Sequence, residues 1–348
     1  MNSPLGVAVI GCGYWGKNYV RLCSELPQIG VVAVCDLSPE RLEDAARRFP
    51  SVRIAEFPDE AIQRDDIDAV IICTDAASHY EIARQCLQHG KHVLVEKPFT
   101  TQSAHALELV QLAQARDLIL MVGHVFLYNP GIEALKTYIE QGDIGEIYYL
   151  HSRRTNLGPV RCDVNAAWDL ATHDVSIFNY LLGESPEWVS AVGCSFLRSG
   201  TQDAVFVTLG YPEGVRGHVH ASWADPNKER EIVVVGSRMR IAFNDLDARE
   251  SVRIFEKGVA AVSAEPVGYG SYQLAIRDGS IISPKIEASE PLRNQVKHFL
   301  TCITEHQQPL SDGSNGLEVV RVMEAIDLSM ERNGAPVEVM PHGWKLYG

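Results

Sequence analysis

Short apolar runs and helix-patterned segments alternate along the first third of the chain. GVAVIG (6–11), VVAVCD (31–36), AVIICT (69–74), HVLVEK (92–97) and LILMVG (118–123) are continuously hydrophobic. Strands of that kind are buried on both faces, as in a parallel sheet covered by its crossover helices. Segments between them, such as EIARQCLQHG (81–90), carry helical spacing. The pattern predicts a doubly wound α/β nucleotide-binding domain over 1–122. After residue 123 the pattern changes. A helix over NPGIEALKTYIEQG (129–142) leads into a strand, GEIYYLHSRR (145–154), and then into a helix containing WDLATHDVS (168–176). Strand-like runs follow one another over 188–257, from WVSAVGCSF to SVRIFEK, with short Gly, Pro and Asp punctuation that favours antiparallel pairing. Two amphipathic helices, over 291–306 and 316–334, close the chain. Residues 123–348 therefore read as an α+β domain with a large, mostly antiparallel open sheet that is a candidate oligomerisation surface. Such a sheet predicts a homodimer or homotetramer.

A length of 348 residues agrees with two domains, and 46% hydrophobic with 22% charged residues describes an ordinary globular chain. The net charge of −14 opposes nucleic acid and anionic membrane as partners. No run approaches the ~18 apolar residues of a membrane span, and MNSPLG lacks the basic and apolar segments of a secretory signal. Eight scattered cysteines without a CxxC pair point to a reducing compartment, so a cytoplasmic location is expected.

Three stretches carry candidate chemistry. In VAVIGCGYWGKN, Gly11, Gly13 and Gly16 have G-x-G-x-x-G spacing between a strand and a helix. The first glycine suits a tight turn, the second a close approach of backbone to a pyrophosphate, and the third close helix–strand packing. Tyr14 and Trp15 lie inside the same loop. Asp36, twenty residues past Gly16, ends the second strand, where a carboxylate accepts the ribose hydroxyls and repels a 2′-phosphate. NAD is expected over NADP, a preference moderated by nearby Arg41. In HVLVEKPF, Glu96 and Lys97 stand at the C-terminal end of a buried strand, where open α/β sheets hold ligands, and Pro98 allows a cis bond that redirects the chain. In WDLATHDVS, Asp169 precedes His173 by four residues and shares a helix face with it, while Asp174 points elsewhere. That pair reads as a metal half-site, a polar helix face or a proton-handling pair. The nearest further ligands, His218 and His220, lie two apart on a strand without a supporting cluster. No metal is expected, and RGHVHAS reads as a polar sheet face.

GCGYWG, EKP and D-x-x-x-H, in that order, make the chain resemble the Gfo/Idh/MocA oxidoreductase family along essentially its whole length. The resemblance implies an NAD(P)-dependent dehydrogenase acting on a CH–OH group, with Lys97, Asp169 and His173 converging on a sugar or polyol carbon. It also implies that Thr74 and His79 line the cofactor groove, to which Glu96 and Lys97 contribute. CTDAASHY departs from the family pattern, with Asp75 where proline commonly follows the threonine. Within this frame the proton-handling reading is preferred: His173, with an ordinary pKa near ~6.5, takes the hydroxyl proton, Asp169 orients it, and cationic Lys97 stabilises alkoxide charge. SRRTNLGPVRCDVNAAWD adds Arg153, Arg154 and Arg161, with Asn156 and Trp168 in the same segment, as substrate-binding candidates. Guanidinium groups suit a phosphate or carboxylate, and an ion-pair network with nearby acids explains them equally well. Relatives of this kind oxidise C3 of nucleotide-linked sugars to 3-keto sugars, or oxidise inositols or free sugars. Others are NAD-binding regulators without chemistry. The chain keeps all three motifs, which favours the dehydrogenase and, within it, a nucleotide-linked sugar.

Overall fold

The computed structural model describes residues 4–158, 160–261 and 274–339. Its first compact unit comprises Met1–Tyr128 and Ser289–Glu324, and its second Asn129–Ala288 and Ala325–Gly348. In the first, strands β1 (Leu5–Ile10), β2 (Ile29–Cys35), β3 (Arg53–Ala55), β4 (Ala69–Ile72), β5 (His92–Glu96) and β6 (Leu120–Gly123) form one sheet in the order β3-β2-β1-β4-β5-β6. Every pair in it is parallel. Helices α1 (Tyr14–Glu25), α2 (Pro39–Arg48), α3 (Pro58–Ile62), α4 (Ala76–Gln88) and α5 (Ser103–Ala115) are the crossovers. All four residues of β4 and of β6 are buried, as their continuous hydrophobicity requires. The chain order reverses between β1 and β4, the place where doubly wound sheets open a crevice beyond their strand ends. β3 escaped the hydrophobic pattern because it is three residues long with two of them exposed.

The second unit continues with α6 (Pro130–Glu140), β7 (Ile147–Thr155), α7 (Thr172–Leu182), β8 (Trp188–Cys194), β9 (Ala204–Gly210), β10 (Arg216–Ser222), β11 (Glu229–Gly236), β12 (Arg240–Asn244), β13 (Val252–Phe255), β14 (Gly258–Ala261), β15 (Leu274–Arg277) and β16 (Ile281–Ile282). Then come α8 (Pro291–Glu305), α9 (Gly313–Glu331) and β17 (Val337–Glu338). Nine strands form a sheet in the order β16-β13-β12-β11-β7-β10-β9-β8-β17, and β14 pairs with β15 separately. β7 and β10 run parallel; the other pairs are antiparallel. One face of this sheet is packed: Arg154 of β7 reaches Asp174 of α7, and Gly217 of β10 leaves room for Phe178 of α7. On the other face Tyr149, Val192 and Phe206 are 40–47% exposed.

The division of the chain differs from the expected break at 122/123. Val125–Tyr128 form a short 3₁₀ turn that stays with the first unit, and Ser289–Glu324 returns to it. Within that unit α8 buries Leu292, Val296, Phe299 and Leu300 along one stripe, and its Gln295 reaches Tyr19 of α1. An amphipathic pattern identifies such a helix but not its neighbours, here α1 and the turn at Val125–Tyr128.

Candidate active site

The glycine loop is shaped for a close approach by a ligand. Gly11 has φ +91°, a conformation L side chains rarely adopt, and a Cβ on Gly16 would lie 1.8 Å from the Gly11 carbonyl oxygen. A Cβ on Gly13 would meet nothing within 4 Å, so here the glycine opens space in front of the first turn of α1. Tyr14 and Trp15 stand outward, 82% and 39% exposed. Asp36, by contrast, is buried and fixed: Oδ2 accepts from the Cys12 N–H at 2.7 Å and Oδ1 from the Ser38 N–H at 2.9 Å. Arg41 lies 3.3 Å from Oδ2. A carboxylate offers about four acceptor positions, so it can hold the loop and still receive a ribose hydroxyl. The open cradle beside a pinned acid fits an adenine dinucleotide.

At the C-terminal end of β5, Glu96 is drawn inward. Its Oε1 accepts from Tyr19 Oη at 2.6 Å, Tyr19 in turn accepts from Gln295 Nε2 at 2.7 Å, and Oε2 accepts from the Lys97 N–H at 3.1 Å. Burial and the neighbouring Glu96 carboxylate push the Tyr19 phenol well above its ordinary pKa, keeping it a donor. The Lys97–Pro98 peptide is cis, and the Lys97 side chain is buried just beyond the strand. His79 is 1% exposed, with Nδ1 2.8 Å from the Pro98 carbonyl oxygen and Nε2 3.0 Å from that of Thr74. It ties the turn after β4 to the turn after Lys97. Thr74 Oγ1 accepts from Ser78 at 2.7 Å. Asp75 stands at the N-cap position of α4 with φ −69°, an angle that proline itself adopts.

In the second unit the chain enters α7 through a π turn, Ala167–Ala171, in which the Thr172 N–H reaches back five residues to the Ala167 carbonyl. Asp169 lies in this turn and His173 in the first turn of α7. The wider turn places residues four apart closer to eclipse than a 3.6-residue helix does. Asp169 is held on both sides, Oδ1 by Arg161 at 3.4 Å and Oδ2 by the Trp223 indole N–H at 3.1 Å. Asp327 fastens the turn from below, accepting from Trp168 Nε1 at 2.6 Å and Asn165 Nδ2 at 3.0 Å. His173 is 8% exposed.

The three arginines of the preceding segment are dispersed among acids. Arg153 pairs with Glu229 at 2.9 Å, and Arg161 donates to Asp163 at 2.9 Å as well as to Asp169. Arg154 forks onto Asp174 through Nε and Nη2 in a buried pair. Burial raises the Asp174 carboxyl above its ordinary pKa, against the lowering effect of Arg154. This is the ion-pair arrangement rather than three free guanidinium groups. Trp168 is 6% exposed, and the Asn156 N–H is spent on the Ser222 carbonyl at 3.0 Å. Sequence reasoning missed Tyr19, Gln295, Trp223 and Asp327, which support these groups from distant positions. It also missed His124, whose signal was available: it comes directly after the fifth predicted strand, as Lys97 ends the fourth.

A dinucleotide cradle on a doubly wound sheet, joined in one chain to a lysine at a strand end and an Asp–His pair on a helix, defines a dinucleotide-dependent oxidoreductase. The profile described as oxidoreductase family, NAD-binding Rossmann fold, matches residues 5–124, and that of the GFO/IDH/MocA C-terminal domain matches residues 132–242. The chain belongs to the Gfo/Idh/MocA family of NAD-dependent oxidoreductases acting on CH–OH groups. It is 28% identical over 330 residues to UDP-N-acetylglucosamine 3-dehydrogenase of Acidithiobacillus ferrooxidans, covering 93% of this chain and 96% of that one. Inositol 2-dehydrogenase of Mycolicibacterium smegmatis is 33% identical over 186 residues, about half of each chain (52% and 54%). The solved structure of GenD2 from gentamicin A biosynthesis, in complex with NAD, superposes with a TM-score of 0.82 at 23% identity over 98% of both chains, a likeness of fold.

Proposed function

We propose that the protein oxidises a secondary hydroxyl of a nucleotide-linked sugar, at C3, to the 3-keto sugar. The observation that carries this reading is the pinned Asp169 on its π turn, one turn ahead of His173, in a chain similar almost end to end to a UDP-N-acetylglucosamine 3-dehydrogenase. Inositol dehydrogenases are similar over a shorter span, which keeps an inositol or free sugar as the second reading.

When bound, NAD supplies the acceptor for the hydride leaving the carbinol carbon. The remaining requirements fall on side chains. His173 takes the hydroxyl proton, Asp169 orients the ring or the hydroxyl, and cationic Lys97 stabilises the charge that grows on oxygen. Gly11, Gly13, Gly16 and Asp36 hold the dinucleotide, with NAD preferred to NADP. Arg161, tied to Asp169, and Arg153, at 54% side-chain exposure, remain candidates for an anionic part of the substrate, whereas Arg154 supports α7 through Asp174. The exposed sheet face with Tyr149, Val192 and Phe206 is assigned to self-association. A binding-only regulator would not need Lys97 and His173.

Native mass spectrometry with a panel of UDP-sugars and inositols identifies the ligand, and single-turnover reduction of NAD then tests the chemistry. His173→Ala and Lys97→Ala should each lower kcat by roughly two to four orders of magnitude with NAD affinity unchanged. If both serve one proton transfer, the double variant is little worse than either. A wild-type rate and pH profile in His173→Ala would place the base elsewhere.

A further inference from the structure

His124 has no task in the mechanism described above, yet its position is costly. The residue is 1% exposed, and neither ring nitrogen meets a hydrogen-bond partner among the described residues. A buried polar atom left unsatisfied costs about 1–3 kcal/mol, so an aromatic hydrocarbon would fill this place more favourably if packing were the only requirement. Its backbone is fixed: the N–H donates to the Val122 carbonyl at 2.8 Å and the carbonyl accepts from Leu127 N–H at 3.0 Å.

The register of the sheet says what the ring stands beside. β5 and β6 are parallel neighbours with Val95 opposite Val122 and Glu96 opposite Gly123. Lys97 and His124 follow directly as the two chains leave these neighbouring strand ends, and the Lys97 charge acts on the His124 ring. The strand ends approach so closely that a Cβ on Gly123 would lie 3.0 Å from Glu96 Oε1. Burial, followed by the neighbouring Lys97 charge, pushes the His124 imidazole down to about 3, so the ring is neutral at physiological pH. A neutral imidazole presents one donor and one acceptor, the complement of an alcohol rather than of a carboxylate or phosphate.

We infer that His124 is a substrate-reading residue, whose ring exchanges hydrogen bonds with an uncharged sugar hydroxyl close to the one that Lys97 serves. The assignment rests on the proposed sugar dehydrogenase and deepens it: the part of the substrate at this edge carries hydroxyls, and any anionic group lies elsewhere. A site built to bond a hydroxyl discriminates strongly against a group that cannot, because its own polar atoms are then left unpaired.

The test uses His124→Phe, which keeps the ring and deletes both polar atoms, and His124→Asn, which retains one donor and one acceptor. Thermal unfolding is measured on the free protein, and again on NADH-loaded protein with UDP-N-acetylglucosamine or myo-inositol as probe. Turnover is measured with whichever probe the wild type accepts. His124→Phe is expected to be at least as stable as wild type when free, to lose most of the probe-induced shift, and to fall roughly tenfold or more in kcat/KM. His124→Asn should recover part of both losses. A destabilised or unfolded His124→Phe, or one that keeps the wild-type shift and kcat/KM, overturns the assignment and returns His124 to the core. If the wild type itself neither shifts nor turns over with either probe, the substrate reading fails and this inference fails with it. The two failures are distinguishable because only the first is confined to the variant.

Discussion

Asp36 illustrates how a single residue can serve both the free fold and the ligand. Its carboxylate accepts the Cys12 N–H from inside the glycine loop and the Ser38 N–H from the entry to α2, so it shapes the cradle, and in the proposed function it also offers acceptors to a ribose. Asp36→Ala should therefore weaken NAD by about 1.5–3 kcal/mol, the range of a charge-assisted hydrogen bond, and narrow the gap to NADP. Arg41, at 3.3 Å, loses its partner in the variant and becomes available to a 2′-phosphate. Calorimetric titration with both dinucleotides measures this, and tighter NADP than NAD binding in the wild type would remove Asp36 from the role. The place of the acid at the end of β2 was legible because it depends on spacing from the glycines, a local property of the chain. The Cys12 and Ser38 bonds were not, since backbone donors carry no side-chain signature. His124 lay between these cases: its place just past the end of β6 was readable, but the absence of hydrogen-bond partners for its ring among the described residues emerges only in three dimensions.

At the scale of elements, the strands and helices that the hydrophobic pattern marked are those that form, because burial on two faces or one stripe is written in consecutive residues. The exceptions are physical. β3 and β16 are too short and exposed to carry a period, and the π turn at Ala167–Ala171 is invisible because alanine, tryptophan and leucine suit an α-helix equally well. What holds that turn open comes from α9: Asp327 receives both Trp168 and Asn165, more than 150 residues away in sequence. Thr172 adds a bond from Oγ1 to the Trp168 carbonyl at 2.7 Å. If the turn sets the aim of Asp169 and His173, Asp327→Ala should lower kcat about tenfold or more while leaving NAD affinity untouched, since a small misplacement of reacting groups is expensive in rate. Two lost bonds should also cost the fold about 1–3 kcal/mol. Urea melting combined with single-turnover kinetics separates the effects. A destabilised variant with wild-type kcat would show that Asp327 holds the fold and not the aim.

For the whole molecule, the open face of the nine-stranded sheet makes the most specific demand. Register aligns Tyr149 with Arg216, His151 with His218, Arg153 with His220, and Phe206 with both His220 and Val192, so aromatic, imidazole and guanidinium groups share one surface. Phe206 stacks on His220 at 4.5 Å. His151 and His220 are held below their ordinary pKa, first by burial and then, among other charges, by Arg153, so both are neutral near pH 7. Acid must therefore add positive charge beside Arg153, Arg216 and Arg240, opposed among the described residues by Asp225, Glu229 and Glu231. If this face joins copies of the chain, burying it requires the imidazoles to stay neutral, and association is favoured above their pKa and lost as pH falls through it. Light scattering near pH 7.5 should then give two or four times the 38.5 kDa protomer mass, declining toward one protomer as acid titrates these imidazoles below their ordinary range. Phe206→Glu should yield the folded protomer already at pH 7.5, because a carboxylate at the centre of a buried patch is left without a partner. A wild type that runs as a protomer at micromolar concentration and pH 7.5, or an assembly indifferent to Phe206→Glu, would assign this face to solvent.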